Sequence, residues 1–231
     1  MKLQHKAWAL VLIIVGLCAG GAMLGARHIV LDSFEVVERD RADAEGERAR
    51  RLLEQQQQAL AATVRDYAFW ADAVAFVNQR RPSFMSENFE VENMGYLGIS
   101  QVLVYDARGH VLSSLAVTPE GGQLQPVPAT KQQALQPLAV QVLASPDPKK
   151  VLQTLRVTDG VLEMVVVAAV HAPDRPERGA QGAITMVRRL DSSQIQRFEQ
   201  LLMAPARLSF DVHQEEGAHR YVAVSYTHLR A

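Results

Sequence analysis

The chain has 231 residues, with 24 Lys and Arg against 25 Asp and Glu and a formal net charge of −1. That balance removes the electrostatic ground for nucleic-acid binding, which needs a strongly basic surface. The single cysteine, Cys18, excludes a disulfide framework.

The N-terminus carries the strongest pattern. Ala7 to Ala26 is an apolar run without a charge, and a helix of about 20 such residues spans a bilayer core. Lys2 and Lys6 precede the run, while Arg27 is followed by Asp32, Glu35 and Glu38. Basic residues favour the cytoplasmic side. The division expected is a cytoplasmic stub at 1–6, a transmembrane helix at 7–26 in the inner membrane, and an exported domain at 28–223. A cleaved signal peptide is the competing reading, but the run is longer than a signal core. Cys18 lies inside the run behind Leu17, where a lipid-attachment site would want a small residue. It reads as a small apolar packing residue.

Between Ile29 and Gln79 there is no proline and one glycine, Gly46. Glu, Arg, Gln, Ala and Leu dominate this stretch, and all favour helix. Leu53, Leu60, Val64, Tyr67, Ala71 and Val74 fall on one stripe. A long membrane-proximal helix over 29–79 is therefore predicted, solvated near the membrane and packed on a core at its far end. Pro82 stops it.

Strand signals follow. Two apolar runs around Val102, Val104 and Val111 flank the turn Asp106-Ala107-Arg108-Gly109. A loop at 119–128 leads to a helix over 131–144, which Pro137 opposes. A second hairpin covers 151–172 and turns at Asp159-Gly160, and its arm Val161–Val170 reads as a buried central strand. A strand at 182–189 comes next, then a helix opened by Asp191 with Gln194 as capping partner, and a strand through Leu208, Phe210 and Val212. The order predicts an α+β fold: an antiparallel sheet with helices on one face.

Catalytic and metal signatures are weak. No phosphate-cradling glycine loop or cysteine pair occurs, and His213 and His219 are spaced six apart around Gly217, which suits a polar turn better than a metal site. No catalytic residue, metal ligand or cofactor is expected.

One segment is more distinctive. Asp66-Tyr67-Ala68-Phe69-Trp70-Ala71-Asp72 ends the long helix, and Asn88-Phe89 follows. With Phe34 and Glu38 near the membrane, the hairpin Val102 to Val111, and Arg188-Arg189-Leu190-Asp191 late in the chain, this resembles the fourth CHASE class of bacterial and archaeal sensor domains, from about Phe34 to Phe210. That family places two acids after the tryptophan and an aromatic beyond; Ala71 and Val74 depart from it here. The resemblance implies an exported sensor that takes a small-molecule signal, with Asp66, Tyr67, Trp70, Asp72 and Asn88 as candidate ligand-binding residues. By the residues alone, Tyr67 and Trp70 also read as a packing pair and Asn88 as a turn or cap residue.

The resemblance further implies a homodimer and a cytoplasmic diguanylate cyclase or histidine kinase downstream. The alternative is an anchored periplasmic binding or scaffold protein without such output. Val224–Ala231 resembles a translated sequencing adapter, so 224–231 reads as a non-native tail and the chain as a fragment.

Overall fold

The structure, a computed structural model, describes residues 2–118, 122–175, 179–190, 206–213 and 221–228. Side chains are described at 8, 13–21, 23 and 44, and from 47 to 190 within those ranges. The chain divides into two units, Met1–Arg48 and Ala49–Ala231.

Helix α1 (Lys2–Ala68) contains the apolar run 7–26. Among the described residues no helix is long and apolar enough to cross a membrane. The continuous helix expected over 29–79 is instead divided. After α1 the chain breaks at Phe69-Trp70 and resumes as α2 (Ala71–Val77). No glycine or proline forces this break. Trp70 is extended, with ψ 138°, and the turn it makes carries Ala73 and Val77 of α2 into the core. Two short helices follow, α3 (Phe84–Asn88) and α4 (Val91–Leu97).

The strands are β1 (Gln101–Asp106), β2 (Val111–Val117), β3 (Leu124–Gln125), β4 (Val151–Thr158), β5 (Val161–Val170) and β6 (Gly182–Leu190). They form one sheet in the order β3-β2-β1-β6-β5-β4, with every pairing antiparallel. Both hairpins turn where expected. At the β4–β5 turn Asp159 and Gly160 have φ 52° and 75°, the paired left-handed geometry that an Asp-Gly turn supplies. At the β1–β2 turn the Asp106 carboxylate accepts the backbone N–H groups of Arg108 and His110, each at 2.8 Å. Helix α5 (Ala129–Leu143) lies between the hairpins and contains Pro137, whose missing N–H is tolerated on its exposed outer side.

The helices cover both faces of the sheet, where one face was expected. The reason is β5, buried from Leu162 to Val170 without interruption. A strand apolar on both sides must be covered on both sides. Side chains at 102, 104, 162, 164, 166, 168, 184 and 186 pack against α1 to α4. Those at 103, 105, 165, 167, 169, 183 and 187 pack against Leu135, Ala139 and Val142 of α5. Each large aliphatic side chain so buried contributes ~1.5–3 kcal/mol.

Strand β7 (Ala206–His213), predicted around 208–212, pairs with β8 (Tyr221–His228) in a separate two-stranded sheet. Strand β8 takes in most of the segment read as a tail. The helix predicted from Asp191 and the turn between His213 and His219 lie outside the described residues.

Arg188 joins three elements on the α1 side. Its Nε donates to the Gly98 carbonyl at 2.9 Å, Nη2 to the Leu97 carbonyl at 2.8 Å and Nη1 to Oε1 of Gln56 in α1 at 2.9 Å. The guanidinium thus sits at the C-terminus of α4, where the helix dipole favours a cation. Burial lowers its pKa from the ordinary arginine value. Gly98 ends α4 at φ 65°, and a Cβ there would lie 3.3 Å from Arg188 Nε.

Two substitutions test this packing. Arg188→Met leaves the end of α4 without its donors and should lower the unfolding free energy by ~2–3 kcal/mol; a loss below ~0.5 kcal/mol in urea denaturation would show the joint to be ornamental. A Cβ at Gly182 would stand 2.3 Å from the Tyr105 carbonyl and 2.8 Å from Val77. Gly182→Ala should therefore destabilise by ~3 kcal/mol or more, read as a fall in the thermal midpoint, and an unchanged midpoint would contradict the close approach.

Candidate functional site

The site is set by how α1 ends. Phe69 N–H donates to the carbonyls of Arg65 at 3.2 Å and Asp66 at 3.1 Å, and Trp70 N–H to that of Tyr67 at 3.2 Å. These bonds close the last turn while Trp70 leaves the helix. Its ring then folds back on Tyr67, with centroids 4.3 Å apart and planes at 24°. The other neighbour of Tyr67 is Phe89, at 5.2 Å. The aromatics continue through Phe84, 5.8 Å from Phe89, to Phe76, 5.5 Å from Phe84. Tyr67, Phe84 and Phe89 are buried, whereas Trp70 and Phe76 keep partial solvent access. On the sheet side, Phe69 stacks on His171 at 5.9 Å, and His171 N–H donates to the Ala68 carbonyl at 3.3 Å.

A charged clip lies beside the aromatics. Arg81 donates from Nη1 to Asp72 Oδ1 at 2.6 Å and from Nη2 to Glu87 Oε2 at 2.8 Å. It thereby ties the first turn of α2 to α3. The hydrogen bond to Glu87, then the Asp72 charge, raise the pKa of Arg81. The Arg81 hydrogen bond holds the Glu87 carboxyl below its ordinary range.

The residues singled out from the sequence take distinct places. Tyr67 and Trp70 touch each other. Asp72 faces Arg81. Asn88 donates from Nδ2 to the Phe84 carbonyl at 2.8 Å, and its own carbonyl accepts from the Asn93 side chain; it closes α3 and delivers Phe89 to Tyr67. Asp66 is exposed on the last turn of α1. Arg81 and Glu87 were missed. Pro82 made their surroundings read as a helix stop, and the only signal of the clip was the opposite charges flanking it.

Chemically, the indole offers a partly open aromatic edge beside fixed charges. Such a surface suits a planar or cationic group or a movable contact between helices. Among the described residues no group of three or more His, Cys, Asp or Glu is placed to hold a metal ion.

No curated protein matches the chain. Among solved structures, it is similar to a domain of a sensory box/GGDEF family protein from Vibrio parahaemolyticus, with 10% identity and a TM-score of 0.39, covering 71% of this chain and 65% of that one. It is also similar to the periplasmic sensory domain of the Campylobacter jejuni chemoreceptor Tlp1, with 12% identity and a TM-score of 0.39, covering 75% and 67%. A third is the extracellular domain of the histidine kinase vpHK1S-Z8, with 10% identity and a TM-score of 0.38, covering 71% and 62%. The chain thus spans about two thirds of the length of these structures. The model of the CHASE4 domain matches residues 52–209, which takes in α1 from Leu52 through β6, the aromatic stack and the clip. The chain belongs to the CHASE4 family of extracellular sensory domains.

Proposed function

We propose that this chain is the membrane-anchored, extracytoplasmic input region of a bacterial signal-transduction receptor. The observation that carries the proposal is that a single helix, α1, holds both the apolar run 7–26 and Tyr67 of the aromatic stack. Exposure of Trp8, Ile13, Leu17 and Met23 supports a lipid environment for the start of α1, since water-exposed apolar stretches of this kind mark membrane or partner contacts. Basic residues before the run support an inward N-terminus and a periplasmic bulk.

In this reading a small molecule meets Trp70 and Tyr67 at the α1–α2 break, with Asp66, Asp72 and Asn88 around them. The ligand shifts an equilibrium between two arrangements of the break only by its differential affinity for them. α1 carries the difference to the membrane, and two copies act as a homodimer. The output lies outside this chain, in a cytoplasmic cyclase or kinase domain.

Topology provides the first test. Alkaline phosphatase fused after His228 should be active and green fluorescent protein at the same point dark; the reverse pattern would sink the anchored, exported reading. Single cysteines placed from Phe34 to Arg51 in a Cys18→Ser background should crosslink between copies in native membranes, and no crosslinked dimer at any position would count against the relay.

The clip makes a pH prediction. Glu87 has a folded pKa below its unfolded one, so its contribution is in place above the unfolded value and is lost as pH falls through the folded value, beneath the ordinary glutamate range. Amide exchange in α2 and α3, corrected for intrinsic rates, should speed up severalfold over that range. Arg81→Gln should show the fast exchange already at pH 7 and little further change on acidification. Equal protection in the variant and the parent would mean that the clip does not hold α2 to α3.

A further inference from the structure

A second concentration of charge lies on the opposite face of the sheet, beside the start of α5. Glu163 of β5 is 2% exposed. The strand register sets Arg156 of β4 and Arg189 of β6 directly opposite it on either side. Opposed residues of antiparallel strands project from the same face, with Cβ atoms ~5 Å apart. From the first turn of α5, Lys131 donates through Nζ to Glu163 Oε1 at 2.5 Å, and the Thr158 hydroxyl donates to Oε2 at 3.1 Å.

The two arginines do not share that carboxylate. Arg156 donates to the Ala134 carbonyl of α5 at 3.2 Å. The Nε of Arg189 is shut off from solvent and has no acceptor among the described residues. Among the described residues, the register thus sets two arginines beside the Lys131–Glu163 pair, and the other acid of the hairpin, Asp159, is exposed at its turn. An ion pair built only for stability would match its charges. Among the described residues this one has two positive charges in excess, and a buried guanidinium donor without an acceptor costs as much as a broken hydrogen bond unless something fills the place.

We propose that Lys131, Arg156 and Arg189 form a binding site for a small oxyanion, the carboxylate or phosphate group of a soluble molecule. Guanidinium groups suit both, because their planar N–H pairs match two oxygens of either group. Glu163 holds Lys131 in place and offsets part of the positive charge of the three cations. The site stands apart from the aromatic stack and does not rest on the function proposed above.

The test uses the whole chain in detergent micelles, titrated with inorganic phosphate and separately with malonate, at ionic strength held constant with sodium chloride. At least one anion should raise the thermal midpoint saturably, and the tighter of the two identifies the chemistry. In the Arg156→Gln/Arg189→Gln double variant, half-saturation should move up by about tenfold or more, as loss of charge-assisted hydrogen bonds predicts. Glu163→Gln should bind more tightly, since a competing carboxylate is gone. It also strips Lys131 of its partner and risks unfolding, so the double variant decides. An equal response from the parent and the double variant, or no saturable response to either anion, overturns the proposal.

Discussion

The constraint on which the rest of this structure depends is the burial of β5 on both faces. Nine successive residues, Leu162 to Val170, are out of water, and the strand is paired along its length by β4 and β6. Such a strand cannot sit at a solvated surface. It requires neighbours on both edges and cover on both faces. Rows such as Val102, Met186 and Val166 run across the sheet toward α1 to α4, while Leu103, Thr185 and Val167 face α5. Removing either cover would expose aliphatic surface that no other part of the described residues is placed to hide.

The candidate site is a by-product of that cover. To bring α2 across the sheet, the chain must leave α1 before Ala71, and the residue that makes the turn is a tryptophan. Its ring cannot be left wholly in water at low cost, so it stacks on Tyr67. The same economy places Phe89 behind Tyr67 through the hydrogen bonds of Asn88. Arg188 and Arg81 then fix the assembly from two sides. One binds the end of α4 to Gln56 of α1, and the other binds α2 to α3. Both use a guanidinium because several acceptors in different directions must be satisfied at once.

Much of the fold was legible in the sequence because it rests on local chemistry. Asp159-Gly160 and the Asp106 to Gly109 turn name their hairpins through left-handed geometry and an aspartate that caps its own turn. The stripe from Leu53 to Tyr67 names the packed face of α1. What escaped was set by distant partners. Nothing near Phe69 or Trp70 breaks a helix by itself, so the division of α1 from α2 follows from packing alone. The apolar length of Val161–Val170 revealed a buried strand, but not that helices would be needed on both sides. At the site, Tyr67 and Trp70 were visible as a pair three residues apart. They meet because Trp70 has left the helix, not because they share its face. Arg81 was masked by the stronger signal of Pro82 beside it.

The two covers differ in strength. Four helices, α1 to α4, close one face of the sheet, cross-braced by arginines and a run of stacked rings. Among the described residues, the other face is covered chiefly by α5, which buries Leu135, Ala139 and Val142 and lacks one backbone hydrogen bond at Pro137. Local unfolding starts where few apolar contacts and few backbone bonds must be given up. By that measure the α5 side is the softer flank among the described residues. The Lys131–Glu163 pair ties the start of α5 to β5 and so opposes its detachment.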